Sequence, residues 1–279
     1  MTKLLKCDLL RVIKDRLFWV VCILAAVFAL ITPLLYAAIY SGIDAVADGS
    51  SDALELMGLG MDGKTIFFSA FSLSNNFGMI VPVLLAIILC KDFSYGTVRN
   101  KIICGCSRVK IFASMYLTCA VFLVGTVLLN ALASLGVGLI FFPYSSQGFG
   151  AEAGYFFASL GLELLVLLFV SALVCFLCVW AKNAGLAVVL YAAAVLVFTM
   201  VTSILMVGEL ALGFAPENEI LPKVFEFVRN VNVFGYSTVI GTGTEYSPKT
   251  ALWCVLSPAV GTAALLGLGA LVFGKKDIK

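Results

Sequence analysis

The run Gly58-Leu-Gly-Met-Asp-Gly63-Lys64-Thr65 fits the spacing G-x-x-x-x-G-K-T, in which backbone amides and a lysine cradle phosphate groups. A working phosphate loop joins a buried strand to a helix. Residues 51–57 do not read as a buried strand, and the polar stretch is too short to hold a nucleotide-binding sheet, so the spacing is set aside as a site. Cys175-x-x-Cys178 places two thiols on one helix face. A metal site wants two further ligands and no suitable pair is evident, so these cysteines read as packing and no metal is expected. The chain has 9 Cys and no His. The cysteines lie in apolar runs or beside Lys and Arg, which suggests no disulfide framework. The lack of His removes the commonest metal ligand and general base. Glu163 is the one carboxylate deep inside an apolar run. A carboxyl group in hydrocarbon is costly and faces the bundle interior or water, which leaves a pathway-lining role and a packing role both open. Asn75, Asn76 and Asn130 are weaker candidates of the same kind, with an interhelical hydrogen bond as the commoner use.

The elements that would hold these groups are membrane spans. Hydrophobic residues make up 62% of the 279 and charged residues 12%, against about a quarter charged in a soluble domain. The apolar residues come in long unbroken runs, and mean hydropathy is +1.10. Six runs match the about 20 residues that a bilayer demands. They are Leu17–Tyr40, Ile66–Cys90, Ile111–Phe142, Gly154–Trp180, Ala184–Val207 and Thr250–Phe273. The third is long enough to tilt or to break near Gly136 and Gly138, and Pro33, Pro82 and Pro258 stand where helices can kink. Gly261, Gly267 and Gly269 give the sixth a smooth face for close helix approach. The expected fold is therefore an all-α integral membrane protein: residues 1–16 an amphipathic helix, 17–273 a six-span domain, 274–279 a tail. The start does not read as a cleavable signal, since its first sixteen residues are charged throughout and the apolar run behind them lacks a small-residue cleavage site.

Charge placement orients the spans. Lys3, Lys6, Arg11, Lys14, Arg16, Lys91, Arg99, Lys101, Arg108, Lys110, Lys182, Lys275, Lys276 and Lys279 fall on one side, and only Lys64, Lys223, Arg229 and Lys249 on the other. The positive-inside rule then places both termini in the cytoplasm of a multi-pass plasma-membrane protein. Asp44, Asp48, Asp52, Glu55 and Asp62 crowd an outer loop. The longest outer segment, 208–249, carries Ile220, Val224, Phe227, Val228 and Val231 at helical spacing, with Pro222 near the start. This helix either lies on or dips into the outer leaflet, or packs as an extracellular cap.

At the start of the chain, Leu5, Leu9, Val12 and Ile13 form an apolar side and Lys3, Lys6, Arg11 and Lys14 occupy the rest. Such a helix lies in the headgroup plane. The inside loop from Lys91 to Lys110 also predicts a short helix. Ser94 or Thr97 would cap it, Gly105 would stop it, and Tyr95, Val98 and Ile102 would share a face beside Arg99 and Lys101. A half-apolar helix wedged between two spans suits docking of a partner, or simply fixes topology by its charge.

In this loop Asp92-Phe93 precedes Gly96-Thr97, then Arg99-Asn100, then Ser107-Arg108 at the opening of the third span. Together with the leading helix, the six spans, the helical segment before the last span and the ending Phe273-Gly-Lys-Lys-Asp-Ile278, the whole chain resembles permease subunits of ABC-2-type transporters. The resemblance implies a translocation subunit and not an enzyme. Two copies, or one copy and a paralogue, would enclose a pathway in a bacterial cell membrane, in contact with membrane lipid. A separate cytoplasmic ABC ATPase would bind ATP and Mg. It would grip the leading helix and the segment formed by Asp92, Phe93, Tyr95, Gly96, Thr97, Val98, Arg99, Asn100 and Ile102. This chain itself would hold no cofactor and bind no nucleic acid. Cargo in such exporters is an antimicrobial peptide, drug, polysaccharide or lipid-like molecule.

Two other classes compete. An ion-coupled secondary transporter would carry several intramembrane acids or helices broken at midplane; the sequence offers one such acid and no clear internal repeat. A polytopic membrane enzyme would cluster His, Asp or Glu near a membrane face.

Overall fold

The structure, a computed structural model, describes residues 2–46, 62–73, 76–144, 149–214, 220–241 and 247–275. Among the described residues every regular element is a helix. They are α1 (Thr2–Lys14), α2 (Arg16–Val46), α3 (Gly63–Phe71), α4 (Asn76–Ser94), α5 (Thr97–Ile103), α6 (Arg108–Phe141), α7 (Phe149–Ala181), α8 (Ala184–Phe214), α9 (Ile220–Val231), α10 (Val233–Gly241) and α11 (Pro248–Lys275). Among them, α2, α6, α7, α8 and α11 contain stretches long and apolar enough to cross a membrane, and α4 with α5, bent by 54°, makes a sixth candidate. The chain is thus an α-helical membrane protein, with five to six candidate spans among the described residues.

Short polar residues start several helices. The Leu17 N–H donates to Asp15 Oδ1 (3.0 Å) and opens α2, the Gly185 N–H to Asn183 Oδ1 (3.1 Å) and opens α8, and the Thr250 N–H to Ser247 Oγ (3.3 Å) and opens α11. Each satisfies an amide that the first turn leaves without a helical partner. The turn Trp180–Ala184 is as tight as its sequence suggests, with α7 ending at Ala181 and α8 starting at Ala184.

Helices α6 and α7 form the centre, and α2, α4, α8 and α11 pack around them. Without a hydrophobic drive between helices in lipid, close fit decides which ones meet. In the last span a Cβ on Gly261 would strike Phe169 at 2.7 Å and one on Gly269 would strike Phe112 at 2.5 Å, so both glycines face neighbours, while Gly267 has nothing within 4 Å. The outer faces remain apolar: Trp19, Ile23 and Leu35 on α2, or Val197 and Met200 on α8, are more than half exposed. Such rows are normal only where the solvent is hydrocarbon.

The second run departs from the expected single span. It is divided into α3 and α4, with Ser72 in extended backbone directly after α3. The break follows α3 at Ser72-Leu73, and the next helix begins at Asn76. Gly78 allows the crossing: a Cβ there would lie 2.7 Å from Ser72 O and 2.9 Å from Leu73 Cα. By contrast α6 runs unbroken past Gly136 and Gly138, and Pro33, Pro82 and Pro258 lie inside α2, α4 and α11.

Helix α3 is buried over most of its surface, and Ile66, Phe67, Phe68, Ala70 and Phe71 are fully buried. Phe67 and Phe68 meet Phe156 of α7 at ring distances of 5.0 and 5.3 Å, contacts worth about 0.5–1.5 kcal/mol each beyond burial. Its first turn contains the lysine of the phosphate-loop spacing. There the Gly63 N–H donates to Pro143 O (2.9 Å), the Lys64 N–H to Tyr144 O (3.0 Å), and Lys64 Nζ pairs with Glu152 at 2.9 Å. The groups that would hold phosphate are engaged in the fold; Gly58–Met61 lie outside the described residues.

The segment before the last span forms two helices, one more than expected. On α9, Val224, Phe227 and Val231 are exposed. The shorter α10 is inserted into the bundle, with Val233, Phe234, Tyr236, Ser237 and Ile240 buried against α3, α7, α8 and α11. Between them Asn232 is buried, donating to Thr202 Oγ1 (2.8 Å) and accepting the Gly235 N–H (3.3 Å).

Candidate functional site at the basic end of the bundle

The ends of α1, α4, α6, α7 and α11 gather most of the described basic residues at one end of the bundle. There α5 hangs off α4 through the turn Tyr95-Gly96. Gly96 sits at φ 68° and Gly105 at φ 83°, left-handed backbone that a Cβ disfavours. Gly105 ends the helix as its sequence predicts. The expected cap does not form: Gly96 precedes the first turn with no side-chain cap, and Thr97 turns back to donate to Asp92 O and Oδ1, both at 2.9 Å.

The side chains of α5 divide into two sets. Val98 is fully buried and Ile102 packs against the core, whereas Tyr95 and Ile103 are each 73% exposed beside exposed Arg99 and Asn100. This corrects the expected shared face of Tyr95, Val98 and Ile102, because Tyr95 belongs to the turn and not to the helix. The outward tip is Tyr95, Arg99, Asn100 and Ile103.

A network of charges ties α5 to α1. Arg11 pairs with Asp92 and donates to Thr97 Oγ1 (3.3 Å). Lys101 Nζ donates to Asp8 Oδ1 (2.6 Å) and stands 3.9 Å from Asp92 Oδ2. Ser114 of α6 donates to Asp8 Oδ2 (2.6 Å). Asp8 and Asp92 are both nearly buried, at 6% and 5% exposure, which only a fully partnered carboxylate tolerates. The space left between them is about 10 Å³, room for one water at most. A second tie runs from Lys91 Nζ to Asp15 Oδ2 at 2.7 Å. Burial raises the Asp15 pKa, but the hydrogen bonds from Lys91 and the Leu17 N–H, with the charges of Lys91 and Arg11, outweigh it and hold this carboxyl below its ordinary value.

On α1, Val12 is buried and Leu9 packs against the core, while Leu5 is half-buried and Ile13 is 42% exposed. The apolar stripe is therefore shared between the bundle and the surroundings. Arg11 is the larger departure. Expected on the basic side of the helix with Lys3, Lys6 and Lys14, it is turned toward Asp92. Asp8, Asp15, Lys91, Lys101 and Ser114 were not anticipated as a group; an acid within a basic helix (Asp8) and an acid before a helix (Asp15) were the readable signals.

The intramembrane candidates lie elsewhere. Glu163 is fully buried on α7, and its Oε1 accepts the Leu73 N–H (3.1 Å) and the Ser237 O–H (2.6 Å). Ser72 Oγ lies 3.0 Å from Ser237 Oγ and donates to Ser237 O (2.9 Å). Glu163 thus joins the break after α3 to α10, and its Oε2 has no hydrogen-bond partner among the described residues. These bonds give Glu163 a joining role between helices, the packing alternative that its sequence offers. Asn130 makes the interhelical contact, donating to Ala70 O at 3.4 Å. Asn75 lies outside the described residues, and of Asn76 only the helical backbone is described. Cys175 and Cys178 are buried, and Cys178 Sγ approaches Ala86 O at 3.5 Å, a packing contact with α4.

Fold and site together define an α-helical membrane protein with a short helix pinned beneath its spans. Residues 54–279 match the family described as a protein of unknown function (DUF2705), and the chain belongs to that family. No curated protein and no solved structure matches it.

Proposed function

We propose that the chain is the membrane-spanning permease subunit of an ATP-binding cassette exporter, with its basic end in the cytoplasm. Both termini are cytoplasmic, α1 is the elbow in the headgroup plane, α5 is the coupling helix and α9 lies in the outer leaflet. The supporting observation is the mounting of α5. Its inner residues and its ion pairs fix it to α1, α4 and α6, while Tyr95, Arg99, Asn100 and Ile103 face outward. A force on that tip reaches α4 directly and α2 through α1. A separate ATPase subunit supplies that force and binds ATP and Mg, and a second permease copy or paralogue completes the pathway. Cargo of an antimicrobial-peptide, drug or lipid-like kind fits this class.

Copurification tests the reading. The detergent-solubilised complex hydrolyses ATP only with its partner subunit, and replacing Gly96 and Arg99 uncouples transport while membrane insertion stays intact. Purification alone, with cargo transport free of ATP, refutes it. One observation favours ion-coupled transport as a second reading: the second span is broken beside the buried Glu163, a mark of that class. Its test is cargo movement driven by an ion gradient without ATP and lost in Glu163→Gln.

A further inference from the structure

Helices α8 and α11 both pack on α7 but make no sustained contact with each other. The gap between them is a cleft of about 390 Å³ with Phe169 of α7, Phe198 of α8 and Val260 of α11 in its walls. The junction of α9 and α10 borders it, with Asn230 and Ser257 among its lining residues. Its size and largely apolar lining are those of a ligand site.

We propose that this cleft is a lipid site, holding one acyl chain of a phospholipid whose headgroup lies beyond Trp253, at the level of Lys249. The cleft is continuous with the lipid-facing surface: Val197, Leu252 and Val260 around it are each about 60% exposed. A gap open to hydrocarbon fills with hydrocarbon. The two polar side chains beside the cleft are engaged within the protein: Ser257 donates to Val231 O at 3.3 Å, and Asn230 Oδ1 receives the Tyr236 O–H at 3.5 Å, so the cleft itself suits hydrocarbon. Exposed Lys249, one turn before Trp253, adds a cation near headgroup level; its pair with Glu226 at 3.5 Å is between two exposed side chains and weak. The site rests on the membrane fold and is independent of any ATPase partner.

The chain has 3 Trp, and Trp253 lines the cleft while Trp19 is 60% exposed on α2. Two full-length variants test the site, one with Trp253 as the sole tryptophan and one with Trp19, each in detergent micelles given increasing dibromo-phosphatidylcholine. Trp253 is quenched saturably, half-maximally at a lipid-to-detergent ratio about tenfold below that for Trp19. Val260→Phe or Leu256→Phe, which fill the cleft, remove the difference, and Val255→Phe, outside it, does not. Equal curves for the two tryptophans overturn the proposal. So does an unquenched Trp253, as a second copy seated on the cleft would give, or an effect of Val255→Phe equal to that of Val260→Phe.

Discussion

Asp8→Ala probes whether α5 is held by charge. In the native chain Asp8 accepts from Lys101 Nζ and from Ser114 Oγ, both at 2.6 Å, and the Asp8 and Lys101 side chains are 8% and 14% exposed. A hydrogen bond to a charged group is worth about 1.5–3 kcal/mol. Lys101 keeps only Asp92, at 3.9 Å, as a partial substitute. The expected loss is about 3 kcal/mol, the low end for removing one side of a buried pair. Because α5 is only 7 residues long, the loss falls on its local opening, and amide hydrogen exchange over Thr97–Ile103 should quicken about a hundredfold. Hydrogen exchange with mass spectrometry on the solubilised chain reads this directly. Adding Lys101→Met removes the stranded cation, so the double variant should exchange more slowly than Asp8→Ala alone. A change under about threefold in Asp8→Ala would show that packing of Val98, and not the ion pairs, holds the helix.

Glu163→Gln keeps an oxygen acceptor for Ser237 and Leu73 and should cost under about 1 kcal/mol, whereas Glu163→Ala strands a buried hydroxyl and should cost about 2 kcal/mol. Thermal unfolding in detergent ranks the two, and the reverse order would show that Glu163 does not join α3 to α10. For Asp15 the folded pKa is lowered, so its contribution is complete above the unfolded carboxylate range, near about pH 4, and is lost as pH falls through the lower folded value. Acidification through that window should therefore destabilise the native chain more than Lys91→Met; equal slopes of melting temperature against pH would refute the tie.

The break in the second span shows where legibility ends. The Ser and Asn residues that interrupt it are plain in the sequence, yet in a strongly apolar run they read equally as interhelical donors. What makes the break stable is Glu163, 90 residues from Leu73, and Ser237, further still. The tip of α5 is similar. Its glycines announce a turn and a stop, but whether Tyr95 or Val98 points inward depends on how α1 and α6 lie against it. The insertion of α10 was hidden because nine mostly apolar residues look alike whether they cap a bundle or enter it.

The sequence by itself determined the membrane class, the long apolar runs that become helices and the gathering of basic charge at one end. Those properties are local: an apolar run of bilayer length and a count of Lys and Arg need no knowledge of neighbours. Tertiary structure alone decided that Asp8 meets Lys101, that Arg11 turns inward to Asp92, and that Glu163 closes the break after α3. Helices apolar all round carry no moment to say which face is inside. Close packing between particular helices selects the partner, and each buried charge is then tolerated only where that packing supplies one.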